Sequence, residues 1–161
     1  MPQYPKCHWK RITIDSKALP RHQFILWLAM HKKLATVDRL RKWGISIASD
    51  CVLCEKDTEG TMEHLFFECD YSRNMWATLL KWLGERHQIG SWNAEIEWLE
   101  KRSSCRVRAH VLRFLFAAVI YHVWTEKSKK NSREDDSKPS EGEEYYPRAT
   151  HTRAEGIQMA Q

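Results

Sequence analysis

The stretch that decides the fold begins at Cys51 and reads CVLCEKDTEGTMEHLFFEC through Cys69. It contains cysteine and histidine in the spacing C-x2-C-x9-H-x4-C, at Cys51, Cys54, His64 and Cys69. Three thiolates and one imidazole can surround a single Zn²⁺ tetrahedrally, and a site with four protein ligands is closed to substrate. The spacing therefore predicts one structural zinc ion. Ordinary buried cysteines or a disulfide are the alternative interpretation.

The spacing of His64 and Cys69 restricts the backbone conformation between them. Residues 61–67 have the pattern of a short helical turn that carries His64. His64 and Cys69 are five residues apart, which on a straight α-helix amounts to about 140° of rotation. We therefore predict a bend near Glu68 that turns both side chains toward one ion.

Length and composition are those of one domain with tails. The chain has 161 residues, 42% of them hydrophobic, which is enough for one core and too few for two. Residues 1–10 lack the apolar stretch of a secretory signal. The most apolar run, 111–124, is short for a membrane span and contains Arg113 and His122. We expect an intracellular protein, nuclear or cytoplasmic, without a membrane partner.

Charge is strongly segregated along the chain, whose net charge is +5. Residues 1–42 hold ten lysines or arginines and two acids, and residues 101–130 hold eight and one. The intervening segment, 43–100, holds four and eleven. Basic segments are typical of proteins that contact phosphate backbones, whereas the acidic residues 50–70, here called the zinc lobe, would repel a polyanion. We expect RNA or DNA to bind elsewhere on the fold.

Hydrophobic periodicity predicts a mainly α fold with little strand. The expected helices cover residues 20–33, 37–43, 70–83, 91–102 and 105–129. An extension at 1–8 precedes the zinc-binding domain, 9–104, and the hydrophobic and basic helix 105–129 packs on that domain. The tail 130–161 is rich in Ser, Glu, Asp and Lys, and we expect it to be disordered.

The candidate nucleic-acid contacts lie across the first two predicted helices. They are Lys32, Lys33, Arg39, Arg41, Lys42 and Trp43. A solvated charged face without a partner explains the same cations equally well. Exposed tryptophans can stack on bases, and we expect Trp43 and Trp82 to be exposed. Trp27 and Trp76 lie on predicted apolar faces and are expected in the core.

Several short motifs occur in a specific order: LWLAMH at 26–31, LATVDRL at 34–40, GI at 44–45, CVLC at 51–54, EHLFFEC at 63–69, and Trp76. This arrangement resembles the zinc-binding domain downstream of the reverse transcriptase in plant LINE-type, non-LTR retrotransposons, over about residues 9–83. The resemblance implies a domain that assists nucleic-acid handling during reverse transcription, with Cys51, Cys54, His64 and Cys69 as zinc ligands. It also implies a reverse transcriptase as a partner.

Signatures of catalysis are missing from the sequence. It contains no Tyr-x-Asp-Asp polymerase motif, and Asp135-Asp136 lies in the low-complexity tail. We therefore expect a relic or domesticated fragment that is not an enzyme and has no small-molecule substrate. The alternative is a protein-interaction domain that docks another protein through helix 111–124 and the zinc lobe. An expressed pseudogene product without function is a third interpretation.

Overall fold

The computed structural model describes residue 9, residues 12–13 and the ranges 18–54, 56–102 and 106–136. The predicted extension 1–8 lies outside these ranges. Within them the fold is mainly α, as predicted, and β-type pairing is limited to one bridge between Asp50 and Glu59. The elements are α1 (Pro20–Met30), α2 (Val37–Lys42), a π-helical turn (His64–Glu68), α3 (Asp70–Trp82), α4 (Trp92–Lys101) and α5 (Arg106–Asp136).

Four helix boundaries follow ordinary capping signals. Pro20 is the first residue of α1, and the Ser91 side chain accepts a hydrogen bond from the Ala94 N–H at the start of α4. Gly44 (φ 78°) and Gly84 (φ 69°) follow α2 and α3 in the left-handed conformation that ends many helices.

Helix α1 ends at Met30, three residues before the predicted end at residue 33. Lys32 has a left-handed φ of 51°. The N–H groups of Lys32 and Lys33 donate to the carbonyls of Ala29 (2.9 Å) and Leu28 (2.8 Å). This is the Schellman arrangement, in which glycine normally occupies the left-handed position. A lysine there gives no sequence signal for a helix end.

Helix α5 is the centre of the fold and contacts α1, α3, α4 and the π-helical turn. Phe116 lies at the middle of an aromatic cluster, with ring centroids 5.8 Å from Phe67, 5.7 Å from Trp76 and 6.1 Å from Trp92. The helix extends seven residues beyond its predicted end at 129, so residues 130–136 of the predicted tail are helical. Residues 137–161 lie outside the described residues.

The predicted core faces of two helices are wrong. Periodicity in α1 places Trp27 and Phe24 in the core, but they are 40% and 59% exposed, and the buried residues are His22, Leu26 and Ala29. In α5, periodicity predicts a core face that consists of Val107, Val111, Phe114, Leu115 and Ala118. The first three are exposed and the last two are partly buried, whereas Leu112, Phe116, Ile120 and Val123 are buried. Each helix contains a stretch that is apolar on all sides, residues 24–30 in α1 and 114–121 in α5, so periodicity does not identify the buried face.

Helix α5 also contains a stretch, Val107–Ser132, that is long and apolar enough to cross a membrane by length and composition alone. The core helix of a water-soluble protein meets the same criterion. In this fold 44% of the most apolar part of that stretch is buried against other elements. The stretch is therefore weak evidence for a membrane span.

A buried carboxylate connects α3 to α4. Glu95 is fully buried and accepts hydrogen bonds from three groups: the Trp76 indole N–H at 2.9 Å, the Gly90 N–H at 2.8 Å and His87 Nε2 at 2.8 Å. A buried carboxylate is tolerated when donors of this kind satisfy it. Glu95 therefore fixes α4, and the segment before it, against the helix that follows Cys69.

Candidate metal centre

The first two cysteines lie in a tight turn at the end of a backbone-paired loop. The Cys51 N–H donates to the Thr58 carbonyl and the Gly60 N–H to the Ser49 carbonyl, both at 2.8 Å. Gly60 also allows close packing on α2, because a Cβ added to it would lie 3.0 Å from a methyl group of Val37. The loop is thus held both to itself and to α2.

The predicted bend between His64 and Cys69 is confirmed, and it takes the form of the π-helical turn. The Cys69 N–H donates to the His64 carbonyl at 2.7 Å, an i→i+5 hydrogen bond. Such a turn holds one more residue than an α-helical turn, so it removes most of the 140° offset. Phe66 and Phe67 within the turn are fully buried and anchor it in the core.

The structure brings all four predicted ligands together. Their ligand atoms lie within 4.8 Å of one another, with Cys51 Sγ 3.9 Å from Cys69 Sγ and Cys54 Sγ 3.4 Å from His64 Nε2. Ligands about 2.0–2.3 Å from a tetrahedral zinc ion are separated by roughly 3.3–3.8 Å. Contraction of less than about 1.5 Å therefore gives bonding geometry. The donor set fits a metal ion with no position left open for substrate.

Two thiols of the cluster influence each other's ionisation. Hydrogen bonding to Cys69 lowers the pKa of Cys51, and hydrogen bonding to Cys51 raises the pKa of Cys69. Thiolate is the form that binds metal. The pair therefore retains one proton that a metal ion has to displace, which makes metal affinity depend on pH.

A buried lysine near the cluster was not anticipated from the sequence. Lys127 is 8% exposed, donates to the Ala35 carbonyl at 3.1 Å and lies 4.8 Å from the Trp124 ring centroid. Burial lowers its pKa, and the negative charge of Cys51 opposes that change. In the sequence, Lys127 begins the polar run KSKK, which has the composition of a solvated helix end.

The predicted nucleic-acid contacts lie on the surface, but two of them form ion pairs with carboxylates of the zinc lobe. Lys32 pairs with Glu63 at 3.2 Å and Arg41 with Glu59 at 2.7 Å. Arg39 stacks on Trp43, and Lys33 and Lys42 are exposed. Among the tryptophans, Trp43 and Trp82 are 57% and 76% exposed and Trp76 is fully buried, as predicted. Trp27 is the exception already described.

A mainly α fold that gathers a Cys3His group at one point defines a class of metal-binding modules in which the metal is structural. Residues 1–76 match the model of a protein family described as zinc-binding in reverse transcriptase. The matched segment contains all four residues of the group and ends within α3. No curated protein and no solved structure matches the chain. The family match agrees with the resemblance to a reverse-transcriptase zinc-binding domain seen in the sequence motifs.

Proposed function

We propose that this protein is a retrotransposon-derived zinc-binding module that assists nucleic-acid handling in reverse transcription and is not itself catalytic. The observation that carries the proposal is the convergence of Cys51, Cys54, His64 and Cys69 within a segment that matches a reverse-transcriptase zinc-binding family. The resemblance of its motifs to plant LINE-type elements supports that origin. An intracellular location, nuclear or cytoplasmic, is consistent with both.

The donor set favours one Zn²⁺ ion. Thiolate and imidazole ligands suit zinc, whereas magnesium and calcium prefer oxygen. All four coordination positions are filled by protein side chains, so the ion serves folding and offers no place to activate water or substrate. Its role is to hold the loop that contacts α2 against the π-helical turn.

The nucleic-acid role is supported by the distribution of charge. Lys32 and Lys33, which follow α1, and Arg41 and Lys42 of α2 are exposed, and Arg39 of α2 is partly exposed; all precede the acidic zinc lobe in the sequence. Exposed cations of this kind bind phosphate backbones of RNA or DNA through release of counterions, so binding weakens as salt increases.

The test combines metal analysis with binding. Mass spectrometry should find one zinc per chain, and Cys51→Ser or Cys69→Ser should remove it together with part of the helical circular dichroism. Binding to a labelled RNA or DNA should weaken between about 50 and 200 mM salt. A protein that keeps its full helicity without metal would refute the structural role. A protein that binds no nucleic acid at low salt would refute the nucleic-acid role.

A protein-interaction domain is the second candidate, and an exposed apolar stripe favours it. Val107, Val111 and Phe114 recur at helical spacing on α5 and are 73%, 37% and 37% exposed. Stripes of this kind are often covered by another protein. A salt-insensitive complex with a reverse transcriptase or another protein, without binding to any polyanion, would support this candidate.

A further inference from the structure

Two exposed tryptophans lie in the last turn of α1 and directly after α2. Trp27 lies on α1 and is 40% exposed, and Trp43 directly follows α2 and is 57% exposed. Each has a cation over its ring: Lys33 Nζ is 5.2 Å from the Trp27 centroid and Arg39 Cζ is 4.7 Å from the Trp43 centroid. We call these four residues the tryptophan platform.

One hydrogen bond joins the two halves of the platform. Arg39 Nη1 donates to the Lys32 carbonyl at 2.7 Å, and Lys32 precedes Lys33 in the left-handed turn that ends α1. The Arg39 guanidinium, which stacks on Trp43, is therefore hydrogen-bonded to the carbonyl of Lys32. The next residue, Lys33, places its ammonium over Trp27. Each indole therefore lies beside a positive charge before any partner arrives, and the hydrogen bond of Arg39 reduces the ordering cost of binding at Trp43.

The two cations of the platform have no carboxylate partner among the described residues, whereas two neighbouring cations are paired with the zinc lobe. Lys32 and Arg41 are paired with Glu63 and Glu59. Within the described residues, no carboxylate forms an ion pair with Lys33 or Arg39. Unpaired positive charge therefore lies beside both tryptophans, at Lys33 and Arg39, and also at the exposed Lys42.

We infer that the tryptophan platform binds single-stranded nucleic acid, with bases stacked on Trp43 and Trp27 and phosphates placed beside Arg39 and Lys33. This inference rests on the proposed function and adds the strand form and the contacts. Single strands offer both negative charge and free aromatic faces. In a duplex the bases stack on one another, so a duplex engages the cations alone. An acidic peptide supplies the charge without the flat faces.

The experiment uses the full metal-loaded chain and fluorescence anisotropy. The probes are a labelled 20-nucleotide RNA of mixed sequence, the DNA of the same sequence, and the matching duplexes. Trp43→Ala and Trp27→Ala should each weaken single-strand binding by about 5- to 150-fold, the range for loss of one stacked base. Trp43→Phe should retain most of the affinity, because it keeps an aromatic face.

The matched control is Trp82→Ala, because Trp82 is the more exposed indole at 76% but no described cation lies over its ring. This variant should bind as the wild type does. Zinc content and circular dichroism verify that each variant is folded, and Trp43→Ala decides the result, since Trp43 is the more exposed of the two platform tryptophans.

The outcomes separate the inference from the proposed function. Absence of binding to any probe by the wild type would refute both. Three results would refute the platform but leave the nucleic-acid role standing. They are unchanged binding by Trp43→Ala, an equal loss of binding in Trp82→Ala, and binding of the duplex as tightly as of the single strand. Loss confined to the platform variants and to single strands would support the inference.

Discussion

The buried carboxylate of Glu95 gives the sharpest prediction about stability. We consider Glu95→Gln, which preserves shape and removes the charge. Gly90 N–H and His87 contact one carboxylate oxygen, and the Trp76 indole N–H contacts the other. A glutamine can place its carbonyl oxygen on the side of Gly90 and His87. Its amino group then faces the indole N–H, so a donor meets a donor.

The loss of stability in Glu95→Gln follows from these contacts. One hydrogen bond to a charged acceptor is lost, and the indole N–H stays buried without a partner, because Trp76 is fully buried. Leaving a buried donor unsatisfied costs about 1–3 kcal/mol, and replacing charged acceptors by neutral ones adds to it. We expect Glu95→Gln to lower the free energy of unfolding by about 2–4 kcal/mol. With a urea m-value of about 2 kcal/mol/M, the midpoint falls by about 1–2 M.

Urea unfolding of the zinc-loaded protein, followed by circular dichroism, measures this difference. Glu97→Gln is the control on the same helix, because Glu97 is exposed and, among the described residues, pairs only with Lys101, and it should leave stability unchanged. Adding Trp76→Phe to Glu95→Gln removes the unsatisfied donor, so the double variant should lose less than the sum of the single variants. A Glu95→Gln midpoint equal to that of Glu97→Gln would refute this account of the α3–α4 contact.

Two further predictions concern α1. Lys32→Gly should be more stable to urea than Lys32→Ala by about 1 kcal/mol, because both lose the Glu63 ion pair but only glycine accepts a φ of 51° without strain; equal midpoints would contradict this. Burial, Arg21 and His122 lower the pKa of His22, so its contribution to stability is complete above its unfolded pKa of about 6.5 and is lost as the pH falls toward its lower folded pKa. His22→Leu should flatten thermal stability between about pH 7 and 5 relative to the wild type, and an unchanged slope in His22→Leu would argue against the buried neutral imidazole.

The metal-binding segment could be predicted in more detail than the rest of the molecule. Ligand spacing alone required His64 and Cys69 to leave the geometry of a straight α-helix, and the structure meets that requirement with a π-helical turn. Gly44 and Gly84 likewise predict the ends of α2 and α3 from the sequence. These features depend on residues close together in the sequence, where geometry leaves few solutions.

Features that depend on distant residues could not be predicted. Nothing in the sequence of α4 shows that Glu95 meets Trp76, or that Lys127 reaches the carbonyl of Ala35. The buried faces of α1 and α5 were predicted wrongly for the same reason. Where apolar residues surround a helix, the buried face is chosen by the partner that packs on it, and that partner is a property of the whole fold.

The fold leaves fewer basic side chains available to a partner than the segregation of charge in the sequence suggests. Part of the basic charge serves internal pairing: Lys32 and Arg41 bind zinc-lobe carboxylates, and Arg102 and Arg108 flank the buried Glu85 at 2.6 and 3.2 Å. Counting cations along the chain therefore overstates the surface available to phosphate. Lys33 and Arg39 keep their charge beside exposed indoles. If nucleic acid binds, its salt dependence should correspond to a few phosphate contacts rather than to the many that the sequence suggests.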